Sequence, residues 1–138
     1  MKDNVNISIR SEYIGQEGSL MEISFDGRYH TKGDAHYIIY EQIDEDSNKP
    51  VKSRIKIADD AVNVVRRGQT YSNMVFLKGE EHISDYITQV GTMKMRVMPH
   101  VVDIDFKEDY IGIKLEYDLE LNDQFISVCK MDIDVSSR

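Results

Sequence analysis

Cysteine is nearly absent from this sequence, since Cys129 is the one thiol among 138 residues and no disulfide can form within the chain. Long apolar runs are absent as well. The opening segment MKDNVNISIRSEY has no apolar stretch of signal-peptide length, and no later run is long enough to span a bilayer. We therefore expect a cytoplasmic protein that does not enter a membrane.

Excess positive charge is also missing. Lys and Arg number 17 against 25 Asp and Glu, so the formal net charge is −8. Nucleic-acid affinity depends on clustered Lys and Arg, so this balance argues against a nucleic-acid partner. The short basic runs at Lys52, Arg54 and Lys56 and at Arg66-Arg67 are expected to be solvated strand faces or turns. With 41% apolar and 30% charged residues, the chain is predicted to form one globular domain over residues 1–138.

What the sequence does have is apolar residues at every second position, the period of a strand with one buried face. Residues 110–123 show this best, because the odd positions from 111 to 121 are all apolar and the even ones are glycine or polar. Shorter runs of this kind are separated by turn-like clusters at 15–18, 32–34, 44–50, 58–60, 66–69 and 107–109. The pattern predicts nine or ten strands, with residues 79–87 alone compatible with a helical turn.

The length of the strand near residue 115 indicates how the sheet is arranged. Twelve residues at about 3.4 Å each reach roughly 40 Å, about twice the usual strand. Such a strand can coil around a small barrel with one face always inward, and closure removes exposed edges. We predict an all-β fold: a single closed or nearly closed antiparallel up-and-down barrel of eight to ten strands.

Two hairpin registers can be predicted from the same alternation. Centring the last hairpin on Asp123 makes 122–124 a three-residue loop and pairs apolar residues on one face and opposite charges on the other. Centring it between Asn122 and Asp123 instead would turn Phe125, Met131 and Ile133 to the polar side. The first register is predicted, with the pairs Leu121–Phe125, Tyr117–Cys129, Leu115–Met131, Glu116–Lys130 and Lys114–Asp132. Across residues 44–50, the predicted pairs are Tyr40–Ser53, Ile38–Ile55 and Glu41–Lys52.

Nearly the whole chain resembles the YwiB-like family of small bacterial barrel proteins, through four segments in this order: HYIIYEQ, SRIKIADDAVNVVRRGQTYSNMVFLKGE, TQVGTMKMRV and IKLEYDLELND. The resemblance implies a calycin (lipocalin-like) barrel, a domain of unknown function and a Gram-positive bacterial origin. It carries no assigned catalytic or binding residues. The chain has no tryptophan, so the Gly-x-Trp motif of true lipocalins is missing.

No catalytic or metal-binding constellation can be found in the sequence. The four histidines have no metal-ligand spacing, although His36 points inward in the predicted register and is the best candidate for a haem ligand. Cys129 is expected to be a buried, inert thiol facing Tyr117. The carboxylates of Glu116, Asp118 and Glu120 are expected to face water. We therefore predict a protein that is not an enzyme and needs no cofactor.

Binding is the better motivated class of function. Methionine adapts to irregular ligands. The predicted interior holds five methionines beside four aromatic residues: Met21, Met74, Met93, Met95 and Met131 with Phe25, Phe76, Phe106 and Tyr117. A filled core of the same residues remains an equal alternative. If a small amphipathic ligand binds, polar groups at a barrel mouth and interior side chains would contact it; the candidates are Tyr29, Tyr40, Arg66, Met74, Met93, Met95 and Tyr117.

A protein-interaction module is the third possibility. Tyr37 and Ile39 are predicted to face outward, and so are Ile126 opposite Glu120 and Val128 opposite Asp118. Apolar residues on an outer wall can form a homodimer face, but isolated surface apolar residues are also common.

Overall fold

A computed structural model describes residues 1–44 and 47–138. Within these residues the chain forms ten β-strands and no helix. In chain order the strands are β1 (Asn4–Tyr13), β2 (Met21–Lys32), β3 (Ala35–Ile43), β4 (Pro50–Ala58), β5 (Ala61–Arg67), β6 (Tyr71–Phe76), β7 (His82–Thr88), β8 (Gly91–Lys107), β9 (Tyr110–Leu121) and β10 (Gln124–Ser137).

The strands form a closed antiparallel barrel in which each pairs with its neighbours in sequence, and β1 closes the barrel by pairing with β10. The predicted fold class is therefore confirmed. Residues 82–88, where a helical turn was the alternative, form a strand instead. Pro99 lies inside β8, where a bulge between Pro99 and Val101 accommodates a residue without a backbone donor.

The last hairpin confirms most of its predicted register and corrects its tip. Tyr117 pairs with Cys129, Leu115 with Met131, and the charged pairs Glu116–Lys130 and Lys114–Asp132 also form. The predicted three-residue loop is wrong. Asn122 and Asp123 form a two-residue turn with φ of 50° and 66°, values suited to a type I′ hairpin.

This tighter turn changes the position of Phe125. It pairs with Glu120 rather than Leu121, and a bulge between Phe125 and Ser127 then restores the predicted register. Phe125 is consequently 61% exposed. The predicted Glu120–Ile126 pair is wrong for the same reason, whereas Val128 does pair with Asp118.

The β3–β4 hairpin has the predicted register, with Tyr40 opposite Ser53, Ile38 opposite Ile55 and Glu41 opposite Lys52. Residues 45 and 46 of the predicted turn at 44–50 lie outside the described residues. On either side of them, the Asp44 amide donates to the Lys49 carbonyl at 2.9 Å, which joins the two ends of the connection.

The core fills one half of the barrel. Its fully buried side chains come from most strands around the wall, and the Phe76 and Tyr117 rings pack against each other at 4.8 Å between centroids. The largest of these fully buried residues are Phe76, Ile7, Ile38, Ile55, Ile57, Ile111, Ile113, Leu115 and Ile133. Met21 and Phe106, predicted to be interior, are 57% and 49% exposed. Both lie at strand ends, where the inward face no longer meets an opposite wall.

One seam in the wall is weaker than the others. Among the described residues, β6 and β7 share a single ladder pair, Tyr71–Ile87, whereas the β5–β6 ladder has six pairs. A side-chain bond partly bridges the seam, since the Ser84 hydroxyl donates to the Asn73 carbonyl at 2.8 Å. The barrel is therefore closed in topology but loosely joined at this position.

Candidate functional site

The unfilled half of the barrel opens to solvent at the end that carries the β1–β2, β3–β4, β5–β6, β7–β8 and β9–β10 connections; we call this end the mouth. A cavity of about 950 Å³ occupies it. Its apolar lining includes Ile23, Phe25, Ile43, Val51 and Val90, and its polar lining includes Gln42, Asp44, Arg66, Gln69, Ser72, Tyr86 and Thr88. This volume is within the range of small-molecule sites, roughly 300–1,000 Å³.

A row of four polar side chains crosses the inner wall at one level of the mouth. Cross-strand pairing places Tyr40 beside Ser53, Ser53 beside Arg66, and Arg66 beside Ser72, on β3 to β6 in turn. All four face inward, because they share the parity of the buried residues Ile38, Ile55, Val64 and Phe76 on the same strands. We call these residues the polar row.

Ser53 is 2% exposed, and its Oγ has no partner with hydrogen-bond geometry among the described residues. Arg66 is solvent-exposed and forms no ion pair with any other described residue. Burial raises the pKa of the Tyr40 hydroxyl, while the nearby Ser53 hydroxyl and the Arg66 charge act in the opposite direction.

Two stacked aromatic rings form the floor beneath the mouth. Phe25 and Tyr40 lie 4.6 Å apart between centroids, with an interplanar angle of 22°. Gly27, opposite Tyr40 on β2, makes room for this arrangement, because a Cβ at residue 27 would lie 2.5 Å from Ile7 Cδ1 and 2.7 Å from the Ile39 carbonyl oxygen. The floor therefore separates the mouth from the filled half.

The seven candidate ligand contacts predicted from the sequence do not converge on one place. Tyr40 and Arg66 meet in the polar row, and Arg66 lines the mouth cavity. Met95 and Tyr117 are 7% and 5% exposed and belong to the packed part of the barrel. Met74 packs against the core, and Met93 pairs with the mouth residue Tyr86.

Tyr29 lies towards the opposite end of the barrel. Its hydroxyl is 2.6 Å from His36 Nδ1, and the His36 ring packs against Phe106 at 4.8 Å. Burial raises the pKa of Tyr29. His36, the candidate haem ligand, is thus engaged by a tyrosine and an aromatic ring at the end away from the mouth.

Cys129 is buried as predicted, with 4% of its surface exposed. Burial raises the pKa of its thiol to about 11, an effect that the Tyr117 side chain partly opposes. Burial also raises the pKa of the Tyr117 hydroxyl. A thiol with so little thiolate at neutral pH is a poor nucleophile.

Sequence reasoning missed most of the mouth, including the two serines of the polar row. A signal for them does exist. On β5 and β6 the inward series changes from aliphatic or aromatic residues to Arg66 and Ser72 at the end nearest the mouth. On β4, Ser53 interrupts the apolar inward series between Val51 and Ile55. Three polar interruptions at neighbouring positions of adjacent strands indicate a polar patch, but recognising it requires all three registers at once.

Comparison with known proteins places this fold in a family. The sequence profile described as "Domain of unknown function (DUF1934)" matches residues 6–133. The chain belongs to this family. The uncharacterized beta-barrel protein YwiB of Bacillus subtilis (strain 168) is 26% identical over 127 residues, covering 90% of this chain and 88% of YwiB. The crystal structure of the ywiB protein superposes with a TM-score of 0.79 at 21% identity, covering 99% of this chain and 92% of that one.

Within residues 1–44 and 47–138, no three His, Cys, Asp or Glu side chains converge as metal ligands would. The same residues contain no helix long and apolar enough to cross a membrane. Ile39 is 39% exposed on the outer wall, as predicted, and Tyr37 beside it stacks on His30 at 5.0 Å.

Proposed function

We propose that this barrel is a non-enzymatic binding protein that takes up a small amphipathic molecule at its mouth. The cavity of about 950 Å³ carries the proposal, because it combines apolar walls with a few inward polar groups. A core packed solid by Met21, Met93, Met95, Phe25 and Tyr117 would have argued against any ligand. Met21 instead lies 57% exposed at the mouth end, and Phe25 lines the cavity.

The sequence offers a direct spectroscopic test, since it contains no native tryptophan. Gln42 lines the mouth, whereas its neighbour Glu41 faces outward opposite Lys52. We expect the tryptophan emission of Gln42→Trp to shift when an eight-carbon amphiphile binds, and that of Glu41→Trp to stay constant. The probes are octanoate, 1-octanol and octyltrimethylammonium. Native mass spectrometry of the purified wild-type protein should also show a co-purifying small molecule.

A second candidate function is self-association. Four apolar residues beside one another on the rim, Tyr13, Ile14, Phe125 and Ile126, are 39% to 61% exposed. The Ile14 amide, which donates to the Val128 carbonyl at 2.8 Å, holds the β1–β2 connection against β10. If none of the three amphiphiles shifts the Gln42→Trp emission and the protein carries no small molecule, the ligand proposal fails. A dimer in sedimentation that Phe125→Ser dissociates would then support self-association.

A further inference from the structure

Resting on the proposed mouth site, we infer that its ligand is an amphipathic carboxylate whose acidic group is held by Arg66 together with the hydroxyl of Ser72. The two residues are cross-strand neighbours on β5 and β6, and both line the mouth cavity. Side chains paired in this way have Cβ atoms about 4.5–5.5 Å apart. One small acidic group can therefore contact both.

The available groups at this position favour an anion over a cation or a neutral ligand. A guanidinium has five N–H donors and no acceptor, and each serine hydroxyl has a proton to donate. Among the described residues, Arg66 has no ion-pair partner. A carboxylate accepts at about four lone-pair sites and cannot donate, so it complements this set.

The filled half of the barrel fixes the orientation of the ligand. The Phe25–Tyr40 stack and the core beneath it leave no room for an apolar tail below the polar row. The apolar lining Ile23, Ile43 and Val90 lies above it, towards the rim. The ligand therefore enters with its carboxylate first, and its tail contacts the rim.

Arg67 provides a matched control for Arg66. The two residues are adjacent on β5, but Arg67 faces outward and packs over the Tyr71 ring at 5.7 Å. Isothermal titration calorimetry would measure the affinities of octanoate, 1-octanol and octyltrimethylammonium for wild type, Arg66→Gln, Arg67→Gln and Arg66→Lys. The Lys variant keeps the charge but loses the planar fork, and it serves in place of Arg66→Gln if that variant does not fold.

We expect Arg66→Gln to bind octanoate roughly 10- to 100-fold more weakly, the range for a hydrogen bond to a charged group. Arg67→Gln should bind octanoate as wild type does, Arg66→Lys should be intermediate, and 1-octanol should bind weakly to all four proteins. Equal affinity of wild type for octanoate and 1-octanol, unchanged in Arg66→Gln, would overturn the carboxylate inference but leave the mouth site intact. No binding of any amphiphile to wild type would overturn the proposed function itself.

Discussion

Gly27→Ala tests the glycine at which an added Cβ would meet its neighbours most closely among the glycines that the structure describes. An added Cβ would lie 2.5 Å from Ile7 Cδ1, 2.7 Å from the Ile39 carbonyl oxygen and 3.4 Å from Tyr40 Cβ. The isoleucine side chain can rotate away, but the carbonyl belongs to the backbone of β3 and cannot move without distorting the ladder. Forcing an extra carbon into such a site typically costs about 1–3 kcal/mol of folding free energy. For a chain of this length, that corresponds to a fall in Tm of roughly 4–10 °C.

Gly112→Ala is the matched control. Gly112 also lies inside a strand, and a Cβ there would meet the Tyr110 hydroxyl at 2.7 Å and its ring at 3.1 Å. This neighbour is the far end of a flexible side chain, which can rotate away at the cost of its solvent-exposed hydrogen bond to Asp134. Both substitutions reduce the conformational entropy of the unfolded chain in the same way. The difference between the two variants therefore isolates the clash at residue 27.

Urea unfolding followed by far-UV circular dichroism would measure both variants against wild type, with near-UV spectra reporting on the Phe25–Tyr40 stack. We expect Gly27→Ala to be less stable than Gly112→Ala by at least about 1 kcal/mol, with equal m-values. If Gly27→Ala were as stable as Gly112→Ala, the account of β2 packed closely against Ile7 and β3 would be refuted.

Two further predictions concern the buried thiol and the weak seam. Because burial raises the Cys129 thiol pKa from 9.0 to about 11, iodoacetamide should alkylate the native protein far more slowly than the urea-unfolded protein at pH 7.5. The corresponding stabilisation is complete below pH 9 and is lost as the pH rises through 11. Fast native labelling at pH 7.5 would contradict this. Backbone amides of β6 and β7 should exchange their hydrogens faster than those of β9, since the seam between β6 and β7 has one ladder pair among the described residues. Ser84→Ala removes the hydroxyl that bonds to the Asn73 carbonyl across this seam and should make the exchange faster still. Equal protection of β6, β7 and β9 would show that the seam is as firmly closed as the rest of the barrel.

The barrel could be predicted from the sequence because its inward face is so regularly apolar. On β9 every inward position from Ile111 to Leu121 is apolar, and a one-residue slip would expose all of them. The register of the last hairpin followed from that constraint. The error at its tip arose where the constraint ends, because the local preference of Asn122 and Asp123 for left-handed φ selects a two-residue turn. A bulge then absorbs the extra residue, and the pattern of alternation gives no sign of it.

The residues that line the mouth were harder to predict than the fold, because they are determined by the depth of each inward side chain along the barrel axis. Alternation indicates that Met21 and Phe25 face inward but not how deep each lies. Tyr29 and Arg66 were both expected as polar handles at a mouth, yet they lie towards opposite ends. Depth follows from the strand-to-strand registers taken together, and two of these registers were predicted, those of the β3–β4 and β9–β10 hairpins.

Arg66 is a charged residue on the inward face of β5, where the preceding inward residues are apolar. Val62 and Val64 precede it on the inward face of β5 and are buried, so an aliphatic side chain at residue 66 would extend the filled core by one layer. Cross-strand neighbours on both sides are also polar, since Ser53 and Ser72 replace the aliphatic or aromatic residues found further down β4 and β6. A single polar residue at a barrel end needs no explanation, but three adjacent ones do. Local departures from a consistent folding pattern are expected at functional sites, and this one coincides with the cavity at the mouth.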